Sequence, residues 1–440
     1  MRKKLLLIQP TPYDHKREPV KRRKLRFVGL ALPLLAALTP KDWEVEIVLE
    51  TIEDVPLDTD AQLIGISSMG HGVIRSIDLA REFKERGKTV VMGGYMVSLM
   101  PEEAKKYCDA VVIGDAEGVW AQLLQDFGAG TLQPFYREEL TSLVGLPVPR
   151  YDLLTGKNIG DFLPVQAGRG CPNCCSFCSV YCLYRGRYFR RSIPEVIRDI
   201  TAIKALGYNK FLLLDDNIAA DEEYMLELAR EIKKLKMNWF SQCDITVAKN
   251  EELLRALAAS GCLTLSFGLE SINQSSLNEL NKAWAKVADY PELIRRIRRA
   301  GIEVSTEMVV GTDSDTLESI RATAKFIEDN KIVVPRFYIL TPIPGTDLFK
   351  EFEASGKIFN RDIYAYNGTE AVHTPKNMSP TELTAAYWEL YNRVFSLSSI
   401  FKRVLLNRNL FTKPLNQLFG LLVNLVYRHD IKRKIPPNII

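Results

Sequence analysis

The strongest constraint on this chain is an alternation repeated along most of its 440 residues: a short apolar run, an amphipathic helical stretch, then another run. Strand-like runs fall at 4–9, 44–50, 63–67, 89–92 and 110–113, with helical periodicity at 30–38, 72–86, 101–106 and 118–126. Runs that are apolar on both faces and joined by helices build a parallel sheet covered on both sides. The expectation is a small doubly wound, Rossmann-like α/β domain over 1–135, with ligands outside the carboxyl ends of its strands. After a Pro-containing connector, 136–160, the alternation resumes at a longer period. Strands are expected at 162–167, 210–214, 238–242, 263–267, 303–309 and 336–340, with helices such as 193–206, 222–235 and 251–260 between them. Six βα units over 161–350 predict a partial (β/α)6 barrel of TIM type, with its chemistry at the carboxyl ends of the strands. Residues 351–440 read as helical, aromatic and increasingly basic.

A chain of this length exceeds what one hydrophobic core organises, so several domains are expected. The net charge of +4 is unevenly placed. Between 396 and 440, eight Lys and Arg residues face the single acid Asp430, a net +7, which leaves −3 for the rest. The apolar run 5–8 is too short for an export signal, and 27–38 is too short to span a bilayer and contains Pro33. A cytoplasmic protein is expected, with surface association with a membrane left open. No solenoid repeat, low-complexity segment or RNA-binding pattern is present.

Eight cysteines are present, and five fall between Cys171 and Cys182. A secreted disulfide framework spreads its cysteines along a short chain, whereas this concentration in a long one points to metal binding in a reducing compartment. The segment Gly168-Arg-Gly-Cys-Pro-Asn-Cys-Cys-Ser-Phe-Cys178 directly follows the first strand of the second domain. Cys171, Cys175 and Cys178 are spaced C-x3-C-x2-C, so three thiolates can each take one iron of a cubane and leave the fourth iron open. Cys171, Cys174 and Cys178 form an alternative register, Cys182 could close the cluster as a fourth ligand, and a structural zinc site is the plain alternative.

This segment resembles the cluster loop of the radical S-adenosylmethionine superfamily, with similarity over about 161–350, and Phe177 before the last cysteine favours the first register. Asp215-Asp216-Asn217, Phe267-Gly-Leu-Glu-Ser271, Glu307, Val310-Gly311 and Thr341-Pro-Ile-Pro-Gly-Thr346 follow that family's pattern in order. The resemblance implies a [4Fe–4S] cluster on Cys171, Cys175 and Cys178. It implies S-adenosylmethionine contacts at Phe177, Asp215, Asp216, Glu270, Ser271, Glu307 and Gly311. Without it, Glu270 reads equally as a salt-bridged barrel carboxylate, and Asp215 and Asp216 as caps of the next helix.

The first domain lacks the Gly-x-Gly-x-x-Gly fingerprint of dinucleotide binding. Ser67-Ser-Met69 and Gly93-Gly94 stand at its strand ends instead, and they resemble the Ser-x-Leu and Gly-Gly elements of cobalamin-binding domains. The likeness implies that Ser67, Met69, Gly93 and Gly94 line cobalamin, although a turn glycine pair would look the same. Asp14-His15 has the wrong spacing for a cobalt-ligating histidine, so no histidine ligand from the protein is expected.

The order of the two domains is similar to that of cobalamin-dependent radical S-adenosylmethionine enzymes, which include hopanoid and bacteriochlorophyll methylases and the anaerobic magnesium-protoporphyrin ester cyclase. The resemblance implies methylation of an unactivated carbon of a small, hydrophobic, tetrapyrrole- or lipid-like substrate through a 5′-deoxyadenosyl radical and methylcobalamin. It also implies an external electron donor such as flavodoxin or ferredoxin, and no nucleic acid partner. Cyclisation without methyl transfer is the alternative within the class, and a non-enzymatic cobalamin or redox sensor the alternative outside it. The basic, apolar tail leaves open either an interfacial helix pair or a helical cap on the barrel.

Overall fold

The computed structural model describes residues 2–437 apart from 15, 69 and 407–413. It divides into two compact units, one of Met1–Ala167 with Phe189–Phe211, the other of Gly168–Tyr188 with Leu212–Asn438.

The first unit begins β1 (Lys3–Gln9), α1 (Ala31–Leu38), β2 (Trp43–Leu49), β3 (Leu63–Ser67), α2 (Val73–Glu85) and β4 (Thr89–Gly93). It continues α3 (Tyr95–Leu99), α4 (Pro101–Lys105), β5 (Ala110–Ile113), α5 (Trp120–Ala129) and β6 (Phe135–Arg137). The sheet order is β2-β1-β3-β4-β5-β6, parallel throughout. Leu5, Leu6, Leu7 and Ile8 of β1 are all buried, as a central strand covered on both faces requires. Helix α2 turns Ile74, Leu79, Ala80 and Phe83 inward, and Phe83 packs in a core with Leu6, Ile64, Val90 and Met92. Truncating such a phenylalanine to alanine costs about 3–5 kcal/mol. The chain steps from β1 to β2 on one side and resumes with β3 on the other, so its topological switch lies between β1 and β3.

Two elements between β1 and β6 were not expected. β6 pairs with β5 through Val111 and Phe135, so the sheet runs past residue 135 into the expected connector. Its three residues, of which only Tyr136 is buried, are too few to show alternation. The connector itself is packed rather than free. Leu25 N–H donates to Asn158 O at 3.0 Å, Gly160 N–H donates to Leu25 O at 2.7 Å, and Lys157 pairs with Glu53 at 2.5 Å. β7 (Phe162–Val165) follows directly and lies in the first compact unit. The other unexpected element, α3, occupies the residues after Gly94.

Next come β8 (Gly168–Gly170), α6 (Ser179–Tyr184), β9 (Tyr188–Arg190), α7 (Ile193–Ala205), β10 (Lys210–Leu213), α8 (Glu222–Leu235) and β11 (Asn238–Cys243). The chain continues α9 (Glu251–Ala259), β12 (Cys262–Glu270), α10 (Gln274–Glu279), α11 (Tyr290–Arg299), β13 (Glu303–Val310), α12 (Leu317–Asp329) and β14 (Val334–Ile339). The second sheet has the order β14-β13-β12-β11-β10-β7, the sequential order of a barrel that does not close. Helix α8 shows why these segments fold locally. The Asp221 carboxylate accepts from Tyr224 N–H, Glu222 and Glu223 occupy the first turn and Lys233 and Lys234 the last, and Met225, Leu228, Ala229 and Ile232 form the buried stripe.

The C-terminal region adds α13 (Asp347–Ala354), α14 (Pro380–Val394), α15 (Leu397–Ile400), a π-helical turn (Phe401–Leu405) and α16 (Pro414–Lys432). The Tyr391 hydroxyl of α14 accepts from Phe337 N–H at 2.8 Å and donates to Phe337 O at 2.9 Å, which satisfies backbone groups on the edge strand β14. Arg403 is fully buried and donates to Ile332 O, Val333 O, Val394 O and Asn424 Oδ1. One cation of the basic tail is therefore an internal brace. No helix among the described residues is long and apolar enough to cross a membrane.

Candidate functional site

The cysteine loop leaves β8 through Gly170, whose φ of +88° and place beside Arg187 O, 2.2 Å from where a Cβ would stand, admit only glycine. Gly170 N–H donates to Asp216 Oδ2 at 2.7 Å, so the start of the loop is tied to the segment after β10. Asn217 then faces Cys171 Sγ at 3.8 Å and donates to Asp244 Oδ2 at 2.9 Å after β11. Downstream, Phe177 packs against Leu280, Leu340, Leu348 and Phe352, and Leu348 N–H donates to Ser176 O. The segments after β10 and β14, with the residues after α10 and helix α13, thus hold the loop, and Asp244 after β11 braces Asn217.

No disulfide joins any of the eight cysteines, all of which are among the described residues. Burial pushes the Cys175 thiol up to about 12, with Cys178 and Cys171 adding to the shift and Lys282 opposing it. Burial likewise raises Cys178 to about 11, with Cys171 and Asp216 contributing, and raises Cys171. These three thiols therefore lie within one another's fields. Among the described residues no three His, Cys, Asp or Glu side chains converge tightly enough to hold a single ion. A cubane takes one thiolate per iron and needs its ligands spread. Cys182 Sγ instead donates to Gly345 O at 3.0 Å, and the exposed Cys174 is approached by Asn281 Nδ2 at 3.4 Å.

The sequence-marked contacts are placed as follows. Asp215 is buried, and Asp216 holds the loop. Glu270 ends β12 at φ +58°, beyond a register shift at Gly268, and pairs with Lys282 at 2.7 Å with both side chains buried. Ser271 is buried and its hydroxyl accepts from Asn273 N–H. Glu307 pairs with the buried Arg336 at 2.5 Å. Gly311 has φ +102°, and a Cβ there would stand 2.6 Å from Leu383 Cδ2; its N–H donates to Asp315 and its carbonyl meets His373 Nε2 at 2.8 Å. Two of the four expected carboxylate contacts, Glu270 and Glu307, thus already carry a cation, which is the salt-bridged alternative weighed for Glu270. Lys282, Asn217, Asp244 and Arg336 complete the group. Asp244 was findable, since it follows β11 as Asp215 and Asp216 follow β10. Lys282 and Arg336 belong to no motif.

In the first unit, Ser67 and Gly93 end neighbouring strands, paired in register. Ser68 N–H donates to Gly93 O at 2.8 Å. Gly94 has φ +105°, and a Cβ there would stand 2.2 Å from Ser68 O, so this turn excludes any side chain. At Gly93 the nearest protein atom to an added Cβ is Val112 Cβ at 3.6 Å, which makes its bareness optional for the fold. The fully buried Ser68 hydroxyl has no hydrogen-bond partner among the described residues. Met69 lies outside the described residues, as does His15.

Residues 165–327 match the radical SAM superfamily, and residues 28–124 match the B12 binding domain. The chain is 30% identical over 396 residues to the bacteriochlorophyllide d C-8(2)-methyltransferase of Chlorobaculum tepidum, covering 86% of this chain and 88% of that protein. It is 28% identical over 421 residues to the C-12(1)-methyltransferase of the same organism, covering 93% and 90%. This chain belongs to the cobalamin-dependent radical S-adenosylmethionine methyltransferases. Its fold matches that of a solved radical S-adenosylmethionine methyltransferase, TsrM from Kitasatospora setae with tryptophan and a SAM analogue bound, at a TM-score of 0.68 and 17% identity, covering 99% of each chain.

The methyltransferase accordingly uses a [4Fe–4S] cluster, S-adenosylmethionine and cobalamin. Its residues suit these groups. Three neighbouring unpaired thiols are available to a cluster. An orphaned buried hydroxyl and a glycine that the protein leaves bare lie where a ligand of the first sheet would rest.

Proposed function

We propose that this methyltransferase acts on an unactivated carbon of a small hydrophobic substrate, tetrapyrrole- or lipid-like, in the reducing cytoplasm. The observation that carries the reading is the grouping of Cys171, Cys175 and Cys178 in one another's fields on a loop pinned to the carboxyl ends of β10 and β11. When bound, the cluster supplies the electron that cleaves S-adenosylmethionine, and cobalamin carries the methyl group. The chain's own part is to place and to exclude. Cys171, Cys175 and Cys178 hold the cluster, while Asp216 fixes the entry of the loop and Asn217 orients Cys171. Asp215, Ser271 and Gly311 bind S-adenosylmethionine, with Phe177 fixing one wall through its packing. Glu270 and Glu307 act there as ion pairs with Lys282 and Arg336, which fix the positions of their side chains. Ser67, Met69, Gly93 and Gly94 form the cobalamin edge, with Ser68 offering a further hydroxyl.

An external reductant of flavodoxin or ferredoxin type supplies the electrons, and the C-terminal region gives peripheral contact with a membrane. The test is anaerobic turnover of the reconstituted enzyme with methyl-labelled S-adenosylmethionine and a panel of bacteriochlorophyllides and hopanoids. Label in the recovered acceptor is expected. Consumption of an acceptor without label would replace methyl transfer by cyclisation or rearrangement.

A further inference from the structure

Of the thirteen described large apolar side chains left exposed, eight lie between 397 and 426. They are Leu397, Phe401, Leu406, Leu418, Phe419, Leu422, Leu425 and Val426, and the last five stand on α16. On α16 they obey one spacing. Positions 418, 419, 422, 425 and 426 recur at i, i+1, i+4, i+7 and i+8, which lays them along a single face. The opposite face, with Val423, Asn424, Tyr427 and Ile431, is buried. There Asn424 Nδ2 donates to Val333 O, and the Tyr427 ring packs on Phe395 at 5.9 Å. The helix is therefore docked firmly by one side while its other side presents leucine, phenylalanine and valine to water. Contiguous exposed apolar surface of this kind marks an interaction site.

The same outward arc changes character toward the C-terminal end. His429, Lys432 and Arg433 continue it and Lys434 follows, all exposed. Asp430, the only acid of 396–440, is buried. A cap packed on a second copy of the chain would desolvate these cations without an acid on the facing arc to meet them. An anionic lipid surface meets both halves at once: acyl chains take the apolar turns and headgroups take the cations.

We infer that α16 is an interfacial helix that seats the enzyme on an anionic membrane, with Leu418, Phe419, Leu422, Leu425 and Val426 in the acyl region and Lys432, Arg433 and Lys434 at the headgroups. The inference goes beyond the methyl-transfer reading and stands or falls separately from it. The test is flotation of the full chain with phosphatidylglycerol-containing vesicles and with pure phosphatidylcholine vesicles. The wild type is expected to float with the first and not with the second. L418E/F419E/L422E, all at exposed positions, is expected to melt as the wild type does by circular dichroism and to lose flotation. K432Q/R433Q/K434Q is expected to partition on the order of 100-fold less strongly, with the salt dependence of binding gone. A wild type that stays soluble, or that floats equally with both vesicles, would overturn the inference. So would a folded L418E/F419E/L422E variant that floats like the wild type. A wild type that ignores vesicles and is dimeric, while that variant is monomeric, would assign the face to a second copy instead.

Discussion

Replacing Lys282 by methionine isolates the ion pair at the end of β12. Lys282 Nζ lies 2.7 Å from Glu270 Oε1 and 2.6 Å from Gly268 O, and both charged side chains are more than nine-tenths buried. Burial alone would lower the pKa of Lys282, but the attraction of Glu270, aided by Cys175, reverses the shift and raises it above 10.5. Two unit charges about 4 Å apart attract by about 4 kcal/mol at an effective dielectric of about 20. Removing one partner of a buried pair costs about 3–5 kcal/mol, because the other charge is left stranded. Lys282→Met is therefore expected to destabilise the apoprotein by about 3–5 kcal/mol in urea unfolding followed by circular dichroism. Lys282→Met/Glu270→Gln is expected to recover most of that loss, since no charge remains stranded. The pH dependence has a definite sign. A cation whose folded pKa lies above its unfolded value contributes its full stabilisation below 10.5 and loses it only as pH climbs through the higher folded value. The gap between wild type and Lys282→Met should thus be flat through neutral pH and close in strong alkali. A loss under about 1 kcal/mol, or a double variant no more stable than the single one, would refute the reasoning.

Three further outcomes follow from the packing. Gly94→Ala, which forces a Cβ to within 2.2 Å of Ser68 O at φ +105°, should lower the urea midpoint and abolish cobalamin binding together. Gly93→Ala meets nothing closer than 3.6 Å, so stability should hold or rise by about 0.4–1 kcal/mol while a cobalamin titration shows weaker binding; unchanged affinity would remove Gly93 from the cofactor edge. Arg403→Met strands Ile332 O and Val394 O and should cost about 2–5 kcal/mol. Arg403→Lys should not restore it, because an ammonium cannot reach acceptors spread around a planar fork.

The strands of the first sheet were readable because its central strands are buried on both faces and so stand out as apolar runs, as in Leu5–Ile8. Helix α8 was legible to the residue because its cap, its charges and its stripe agree. β6 was not, since three edge residues carry no period. The end of β12 escaped as well: the strand was expected to stop at 267, and beyond the register shift at Gly268 it runs three residues further, to Glu270. At the site, spacing left two cysteine registers open, and only the resemblance, through Phe177, favoured Cys171, Cys175 and Cys178. The cations opposite Glu270 and Glu307 come from a loop after α10 and from β14, 12 and 29 residues away, and only the fold brings them there. The tail showed its charge and its apolar content in sequence. Which residues face inward, Arg403 above all, depends on tertiary packing that composition does not carry.

The account rests on Cys171, Cys175 and Cys178 holding a cluster that cleaves S-adenosylmethionine. The most direct measurement is anaerobic reconstitution of the full chain with iron and sulfide, followed by reduction with dithionite in the presence of S-adenosylmethionine and cobalamin. Iron content and 5′-deoxyadenosine are read for the wild type and for Cys171→Ala, Cys175→Ala, Cys178→Ala, Cys174→Ala and Cys182→Ala. The account predicts a [4Fe–4S] spectrum and 5′-deoxyadenosine from the wild type, Cys174→Ala and Cys182→Ala, and neither from the other three. A cluster that survives loss of Cys175 but not of Cys174 or Cys182, or a reduced wild type that leaves S-adenosylmethionine intact, would contradict it.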